Sequence, residues 1–292
     1  FFKQKTAYEI RNCDWSSDVC SSDLKIRPWE ALFGLILMST ILFPVYWMMI
    51  TGVRPQLETF DSNPKLLPTF TFEHYREIIQ EGSIITGLIN SILISSISTA
   101  IALVLGVPAA YVLARWDFKR KSDLWFWIIS NRFISPIAVV LPFFLIAINL
   151  NLVDTYWIMI IIYQTFAIPF VVWLSLDQFK AIPKEVDEAA SVDGASVFKT
   201  FVRINLPIAV PGISVSAILV FVACWNELLF AQILTRSEAI TGPVVALGYM
   251  SGYDIRWGPM MATSTLVVLP ILLFAAILSK NLVRGLAMGA IK

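Results

Sequence analysis

The sequence contains very few of the residues that bind transition metals. It has one histidine, His74, and three cysteines, Cys13, Cys20 and Cys224, whose spacing is not that of a metal site. A zinc or haem site needs more nitrogen and sulfur ligands than these residues offer. The patterns HExxH, GxSxG and GxxxxGKS/T are also missing. The sequence therefore predicts no metal or nucleophilic catalysis in this chain, and no ATP-binding loop of its own.

Charged residues are scarce as well. They make up 15% of the 292 residues, whereas a soluble globular protein has about 25%. Hydrophobic residues make up 57%, and the mean hydropathy is +0.73. Both values are typical of a membrane protein with the lipid bilayer as its surroundings. The net charge of +1 provides no basic surplus, so we expect no nucleic-acid partner.

The first 24 residues differ from the rest of the chain. They are polar, contain Cys13 and Cys20, and have no apolar core of the kind found in a signal peptide. They resemble a translated sequencing-adapter read-through. We therefore expect residues 1–24 to be non-native and assign the folded domain to residues 25–292. The alternative is a disordered cytosolic tail.

Six apolar segments are long enough to cross a membrane as helices, which takes roughly 20 mostly apolar residues each. Prolines interrupt several of them, and membrane helices tolerate this when neighbouring groups satisfy the freed backbone. The sequence thus predicts an all-α membrane protein with six transmembrane helices. The predicted spans are residues 30–50, 84–113, 124–148, 156–176, 208–234 and 259–282.

Lysine and arginine predict the orientation of these spans. Thirteen of them fall in the termini and loops on one side of the predicted bundle, and five on the other. The side richer in positive charge is expected to be cytoplasmic. Both termini and the loop 179–207 are therefore expected inside the cell. The predicted outer loops are residues 51–83, 151–155 and 235–258.

The loop 179–207 is much longer than two membrane spans need. Pro183 and the acidic residues that follow it are typical of a helix start. Asp193-Gly194 predicts a turn, and Ser196 can cap a second helix, which we expect Pro207 to close. The sequence therefore predicts a cytoplasmic helix–turn–helix.

Each predicted helix of this loop has an apolar face. In the first, Val186, Ala189 and Ala190 share one small face, which would let another surface approach closely. The second has a broader apolar stripe, suited to packing under the bundle. The alternative is a surface amphipathic hairpin without a partner. The stripe consists of Val197, Phe198, Phe201, Val202 and Ile204.

The loop also matches a pattern of a known family. The integral membrane subunits of binding-protein-dependent ABC importers share EAA, three residues, Gly, nine residues, Ile, one residue and Leu-Pro. Here Glu188-Ala189-Ala190 is followed at that spacing by Gly194, Ile204 and Leu206-Pro207. The resemblance covers about residues 27–292 and is closest to the carbohydrate-uptake branch, similar to the smaller permease of the maltose transporter type. It is also carried by NSILISS at 90–96, RFISPIAVVLP at 132–142, EAASVDGAS at 188–196, WNELLFAQILT at 225–235 and GLAMGAIK at 285–292.

The resemblance implies a permease subunit of an ATP-binding-cassette importer in the bacterial inner membrane. Such a subunit moves a sugar or sugar-like solute inward and is not an enzyme. The implied partners are a second permease in a heterodimer, two ATPase subunits, and an external solute-binding protein that contacts the outer loop 235–258. The chain would bind no cofactor itself, while its partners use ATP and Mg. The implied ATPase-coupling residues are Glu188, Ala189, Ala190, Asp193, Gly194, Ile204, Leu206 and Pro207.

Six residues of the predicted spans are candidates for a solute pathway. A charge near the bilayer centre costs about 2.5–3.5 kcal/mol or more, so we expect Arg132 to face the bundle or a water path, with snorkelling to headgroups as the alternative. Asn90 and Gln164 would serve equally well as interhelical hydrogen-bond groups, and Trp225 as an interfacial anchor. The candidates are Asn90, Arg132, Gln164, Trp225, Asn226 and Glu227.

Two other classes of function fit the sequence less well. An ion-coupled secondary transporter or channel usually needs buried acids, and Glu227 is nearly the only one in the spans. Such transporters often carry internal repeats, and none is visible here. A membrane enzyme is disfavoured because the sequence offers little for nucleophilic or metal chemistry.

Overall fold

The computed structural model describes residues 28–59, 69–250 and 255–290, with the side chains of Leu57 and residues 274–290 left out of the description. The expectation for residues 1–24 lies outside this part of the chain. Packing divides the described chain into two units, one ending at Trp47 and the other beginning at Met48. The division falls inside the first long helix.

The described chain is helical throughout, apart from turns and one isolated bridge between Met250 and Ile255. This confirms the predicted all-α class. In chain order the helices are α1 (Pro28–Val53), α2 (Gln56–Thr59), α3 (Glu73–Glu81), α4 (Ser83–Arg115), α5 (Lys121–Ser130), α6 (Pro136–Asn149), α7 (Tyr156–Ala181), α8 (Glu185–Val192), α9 (Val197–Thr200), α10 (Leu206–Trp225), α11 (Leu229–Leu234), α12 (Gly242–Gly248) and α13 (Trp257–Ala290).

Four helical stretches of the described chain are long and apolar enough to cross a membrane: α1, α4, α7 and the run Val197–Trp225. The bent pair formed by α5 and α6 would make a fifth crossing. The predicted sixth span lies on α13, whose described apolar part is Trp257–Leu273. The number six therefore stays a prediction.

The third predicted span is not the single straight helix that residues 124–148 suggested. The chain bends by 92° between Phe133 and Pro136. Ile134 and Ser135 are extended there, with ψ of 122° and 126°. A proline disfavours the helical conformation of the residue before it, and Pro136 is well suited to the first turn of α6. The Ser135-Pro136 pair thus ends one helix and begins the next.

Helix α4 packs along α7 through a stripe of small residues. Because small side chains let helix backbones approach closely, such stripes are common in membrane bundles. Gly106 lies at a close approach of the two helices, since a Cβ atom built on it would stand 2.8 Å from Cγ1 of Val171 on α7. Buried small residues of α4 include Ser95, Ser98, Ala102, Gly106 and Ala110.

This contact predicts that Gly106→Ala destabilises the protein. Overpacking a tight contact costs about 1–3 kcal/mol, which exceeds the gain in helix propensity from replacing glycine. The midpoint of thermal unfolding in detergent should fall. Gly248→Ala is the matched control, because a Cβ at Gly248 meets nothing within 4 Å. An unchanged midpoint for Gly106→Ala would contradict the close approach of α4 and α7.

Candidate functional site

The loop 179–207 forms the predicted helix, turn and second helix. The first helix is α8, and Gly194 follows it with a φ of +75°, the left-handed conformation that glycine adopts most readily. Ser196 caps α9, its hydroxyl accepting a hydrogen bond from the Lys199 N–H at 3.4 Å. The predicted turn and cap are therefore confirmed.

The second helix does not end at Pro207 as expected. It continues from α9 through a π-helical turn, Phe201–Asn205, directly into α10. The Leu206 N–H donates to the carbonyl of Phe201, five residues back. Pro207 has no N–H to donate to the preceding turn, and that turn is the wider π-helical one. The loop is thus mechanically continuous with the membrane helix that follows it.

The small face of α8 is turned differently from the expectation. Ala190 is buried and Val186 packs against the bundle, so this face is covered by the chain itself. Ala189 and Glu188 are exposed. Ile204 and Leu206 are half-buried, and Pro207 is exposed. The predicted common face of Val186, Ala189 and Ala190 is therefore split between the bundle and the surroundings.

One buried arginine holds α8 against the bundle. Arg115 is the last residue of α4, and its side chain is only 6% exposed. Its Nε forms an ion pair with Oδ2 of Asp187 on α8, at 2.8 Å. Its two terminal nitrogens donate to the carbonyl of Ile182 at 2.9 Å and to Oδ1 of Asn205 at 3.1 Å. A single guanidinium thus ties together the ends of α4 and α7, α8, and the π-helical turn.

The second carboxylate oxygen of Asp187 completes this cluster. It accepts hydrogen bonds from the Tyr111 hydroxyl at 3.0 Å and from Nδ2 of Asn205 at 2.6 Å. The Tyr111 ring packs against Phe179 and Phe201, with ring centroids 5.3 and 4.8 Å away. We call Tyr111, Arg115, Asp187 and Asn205 the Arg115 cluster. It fixes how α8 sits on the bundle.

The sequence alone does not predict this cluster. In the sequence, Arg115 is one of the positive charges that indicate orientation, and Asp187 is one of the acids at a helix start. Asp187 lies three residues before the buried Ala190, a spacing that places it towards the inward side of α8. That spacing was a usable signal for Asp187, whereas its pairing with Arg115, 72 positions earlier in the chain, had none.

The side of the loop that faces away from the bundle is exposed, and its tip is apolar. Val192 is 88% exposed and Phe198 is 75% exposed, with Val197 beside them. Glu188 and Asp193 are exposed acids of the same loop. Of the predicted apolar stripe, Phe201 packs inward while Val197 and Phe198 face outward. We call Glu188, Val192, Asp193, Val197 and Phe198 the loop tip.

A cavity of about 420 Å³ lies between the bent pair, α7 and the break before α11. Two of the six predicted pathway residues line it, Arg132 and Glu227. The Arg132 guanidinium lies 3.6 Å from the centre of the Phe170 ring and 5.5 Å from that of Trp173, in cation–π geometry. The other lining residues are Asn131, Ile134, Pro136, Val139, Phe143, Thr165, Phe166, Ala223 and Phe230.

Glu227 has a local partner for its carboxylate. Its two oxygens accept hydrogen bonds from the N–H groups of Phe230 at 3.0 Å and Ala231 at 3.2 Å. These are N–H groups of the first turn of α11, which have no partner within the helix. Glu227 therefore caps α11 while it faces the cavity.

The other four pathway candidates do not line this cavity. Trp225 is buried and donates to the carbonyl of Val267 on α13 at 3.2 Å. Gln164 donates to the carbonyls of Ser98 at 3.3 Å and Ile160 at 2.9 Å. These are contacts within and between helices, the alternative already given for Gln164. Exposed Asn226 donates to the carbonyl of Val222 at 3.0 Å.

Asn90 connects α4 to the predicted outer loop 235–258. Its amide nitrogen donates to the carbonyls of Glu238 at 2.8 Å and Ile240 at 2.9 Å. Its amide oxygen accepts from the Tyr156 hydroxyl at 2.8 Å. The neighbouring Ser91 hydroxyl accepts from the Gly242 N–H at 2.9 Å. The amide nitrogen of Asn90 is thus directed to the loop, and its amide oxygen to α7.

Asp154 holds the start of the same loop. Its carboxylate accepts hydrogen bonds from four successive backbone N–H groups, at 2.8 to 3.0 Å. Burial by itself would raise the pKa of Asp154, but these four donors outweigh it and lower the pKa to about 2. The carboxylate is therefore ionised at ordinary pH. The four donors belong to Arg236, Ser237, Glu238 and Ala239.

This geometry predicts that Asp154→Asn loosens residues 236–239. An amide places a donor where the loop presents only donors, and it removes the negative charge. Hydrogen exchange of these backbone amides should be faster than in the unsubstituted protein, and the measurement is hydrogen–deuterium exchange with mass spectrometry. Asp123→Asn, an exposed acid outside this loop, is the control and should leave the exchange unchanged.

The same carboxylate predicts a direction for the effect of pH. The pKa of Asp154 is lowered on folding, so its stabilising effect is complete above the unfolded value near 4 and is lost as pH falls towards 2. Protection of residues 236–239, corrected for intrinsic exchange, should therefore be the same at pH 7 and pH 5. A loss of protection already between those values would contradict the geometry.

A family comparison covers most of this chain. Residues 102–288 match the family described as binding-protein-dependent transport system inner membrane component. The matched region includes every residue of the Arg115 cluster, the loop tip, and both Arg132 and Glu227.

Similar proteins of known name extend over nearly the whole chain. The trehalose transport system permease protein SugB of Mycobacterium tuberculosis is 36% identical over 90% of this chain and 97% of its own length. A probable ABC transporter permease protein, y4oR, of Sinorhizobium fredii is 35% identical over 89% and 94%. The trehalose/maltose transport system permease protein MalG of Thermococcus litoralis is 32% identical over 89% and 95%.

Solved structures share the fold. A chain of a bacterial ABC transporter involved in the import of the acidic polysaccharide alginate matches with a TM-score of 0.72 at 20% identity. The match covers 87% of this chain and 98% of the other. A chain of the MetNI methionine ABC transporter in an inward-facing conformation matches with a TM-score of 0.59 at 16% identity, over 72% and 98%.

Proposed function

This chain belongs to the family of binding-protein-dependent transport system inner membrane components, and we propose its function on that basis. It is a permease subunit of an ATP-binding-cassette importer, a transport subunit rather than an enzyme. The finer points are its cargo, its coupling to ATP hydrolysis, its orientation and its partners.

The proposed cargo is a sugar or a sugar-like solute, moved into the cytoplasm. Relatives named for trehalose and for trehalose/maltose transport support this choice. The cavity fits such a solute, because aromatic faces suit the apolar side of a sugar ring while Arg132 and Glu227 offer a cation and a carboxylate for hydroxyl groups. We propose that this cavity is part of the solute pathway.

The observation that carries the proposed coupling is the contrast between the two sides of the loop. One side is fastened to the bundle by the Arg115 cluster, and the other is the exposed loop tip. Apolar side chains as exposed as Val192 and Phe198, next to acids, are typical of a surface that another protein covers. We propose that the loop tip docks on a separate ATPase subunit, with Glu188 facing basic groups.

The proposed orientation follows from this docking. The loop and both termini lie in the cytoplasm, in agreement with the excess of lysine and arginine on that side. ATP and Mg are then used by two ATPase partners, and this chain binds neither. A second permease completes a heterodimer, and an external solute-binding protein contacts the outer loop that Asp154 and Asn90 hold. Another chain of similar fold belongs to a bacterial alginate ABC transporter in complex with an alginate pentasaccharide-bound periplasmic protein, which supports the last partner.

The first test of the proposal is which subunits co-purify with the chain. Purified from its host through a C-terminal tag, the chain should bring with it ATPase subunits and a second permease in stoichiometric amounts. The solute-binding protein can then be screened against trehalose, maltose and diacetylchitobiose. A chain that purifies alone or as a homo-oligomer would contradict the proposal.

Two substitutions in the loop test the coupling itself. Glu188→Lys reverses the charge of the loop tip, and Gly194→Asp puts a side chain where φ is +75°. Both should leave membrane insertion intact and uncouple ATP hydrolysis from uptake in proteoliposomes. Asp123→Lys makes the same charge change on another exposed segment and is the control. Normal uptake by both loop variants would show that the loop has no coupling role.

A further inference from the structure

The Arg115 cluster and the loop tip share no residue and lie on different sides of the loop. Arg115 is almost fully buried, and Asp187 faces inward, whereas Glu188, Val192 and Phe198 face away from the bundle. We propose that the Arg115 cluster is the joint that passes a movement of α8 to the cytoplasmic end of α4. This inference rests on the proposed function, and it makes Arg115, Asp187 and Asn205 positioning residues for transport.

Helix α4 has no short covalent connection to the loop. The chain links α8 directly to α7 on one side and, through α9 and the π-helical turn, to α10 on the other. In the described part of the chain, the polar contacts between α4 and α8 are those that Tyr111 and Arg115 make with Asp187. Since α4 also packs along α7 at Gly106, a displacement of the cytoplasmic end of α4 is passed to the middle of the bundle.

The residue types in the cluster suit a rigid joint. The guanidinium of Arg115 is planar and presents several donors in fixed directions, so it binds Asp187, Asn205 and the Ile182 carbonyl at once. Asn205 accepts from Arg115 and donates to Asp187, which closes a ring. A network of an ion pair and charge-assisted hydrogen bonds resists distortion better than apolar contacts that slide.

The joint has a measurable signature in the unsubstituted complex. Labels on two exposed positions, Lys119 beyond the end of α4 and Ser191 on α8, report the distance between these segments. If the two segments move as one body, this distance is the same without nucleotide and with ATP bound. Pulsed electron paramagnetic resonance on the full complex in lipid measures it directly.

Asp187→Asn breaks the ion pair at nearly constant size and leaves the loop tip untouched. We expect the ATPase subunits still to co-purify and to hydrolyse ATP. The number of solute molecules moved per ATP should fall roughly tenfold, within the usual range of coupling between sites. The label distance should then change with nucleotide. Asp187→Glu, which keeps the charge, should recover part of the ratio.

The control is Asp117→Asn, which removes an exposed carboxylate two residues from Arg115 and should leave the ratio unchanged. The probe is trehalose, or whichever disaccharide of the screened panel is taken up. An unchanged ratio for Asp187→Asn would overturn the joint. So would a label distance that changes with nucleotide in the unsubstituted complex, a result that stands even if the variant fails to assemble. Absence of ATP-dependent uptake in the unsubstituted complex would instead refute the proposed function.

Discussion

The described part of this chain depends on a charge that is kept out of water at the end of a membrane helix. The side chain of Arg115 is 6% exposed, and burying a guanidinium is unfavourable unless the charge is paired and hydrogen-bonded. It is paired only because α7, α8 and the π-helical turn bring Ile182, Asp187 and Asn205 to one point. Taking one partner from a buried ion pair typically costs about 3–5 kcal/mol. The position of the loop is therefore fixed by the need to pair the buried charge at the end of α4.

The two ends of the bundle use different chemistry for a similar task. At the predicted cytoplasmic end, the guanidinium of Arg115 binds side-chain and carbonyl oxygens. At the predicted outer end, the carboxylate of Asp154 accepts hydrogen bonds from four backbone N–H groups, and Asn90 binds two carbonyls. Each device fixes a loop from within the bundle, which leaves the outer surface of that loop open. Such loops can meet a partner with little loss of conformational freedom on binding.

Much of the fold was predictable because hydrophobic length and local turn signals are properties of short segments. The apolar runs predicted α1, α4 and α7, and Asp193-Gly194 and Ser196 predicted the turn and cap of the loop. The third span was predicted as one helix because membrane helices tolerate proline, and the 92° bend before Pro136 depends on how the two halves pack. The pairing of Arg115 with Asp187 was not predictable, since it joins distant positions. The same holds for Asp154, whose partners are backbone groups that carry no side-chain signature.

The bend at Ile134-Ser135 has a consequence for hydration. An extended pair of residues leaves backbone N–H and C=O groups outside any helix, and hydrocarbon cannot satisfy them. If the pair lies at membrane depth, it must face protein or water rather than acyl chains. Ile134 and Pro136 both line the 420 Å³ cavity. The break in the helix therefore favours a wet cavity wall, along which a hydrated solute could exchange its water for backbone contacts one group at a time.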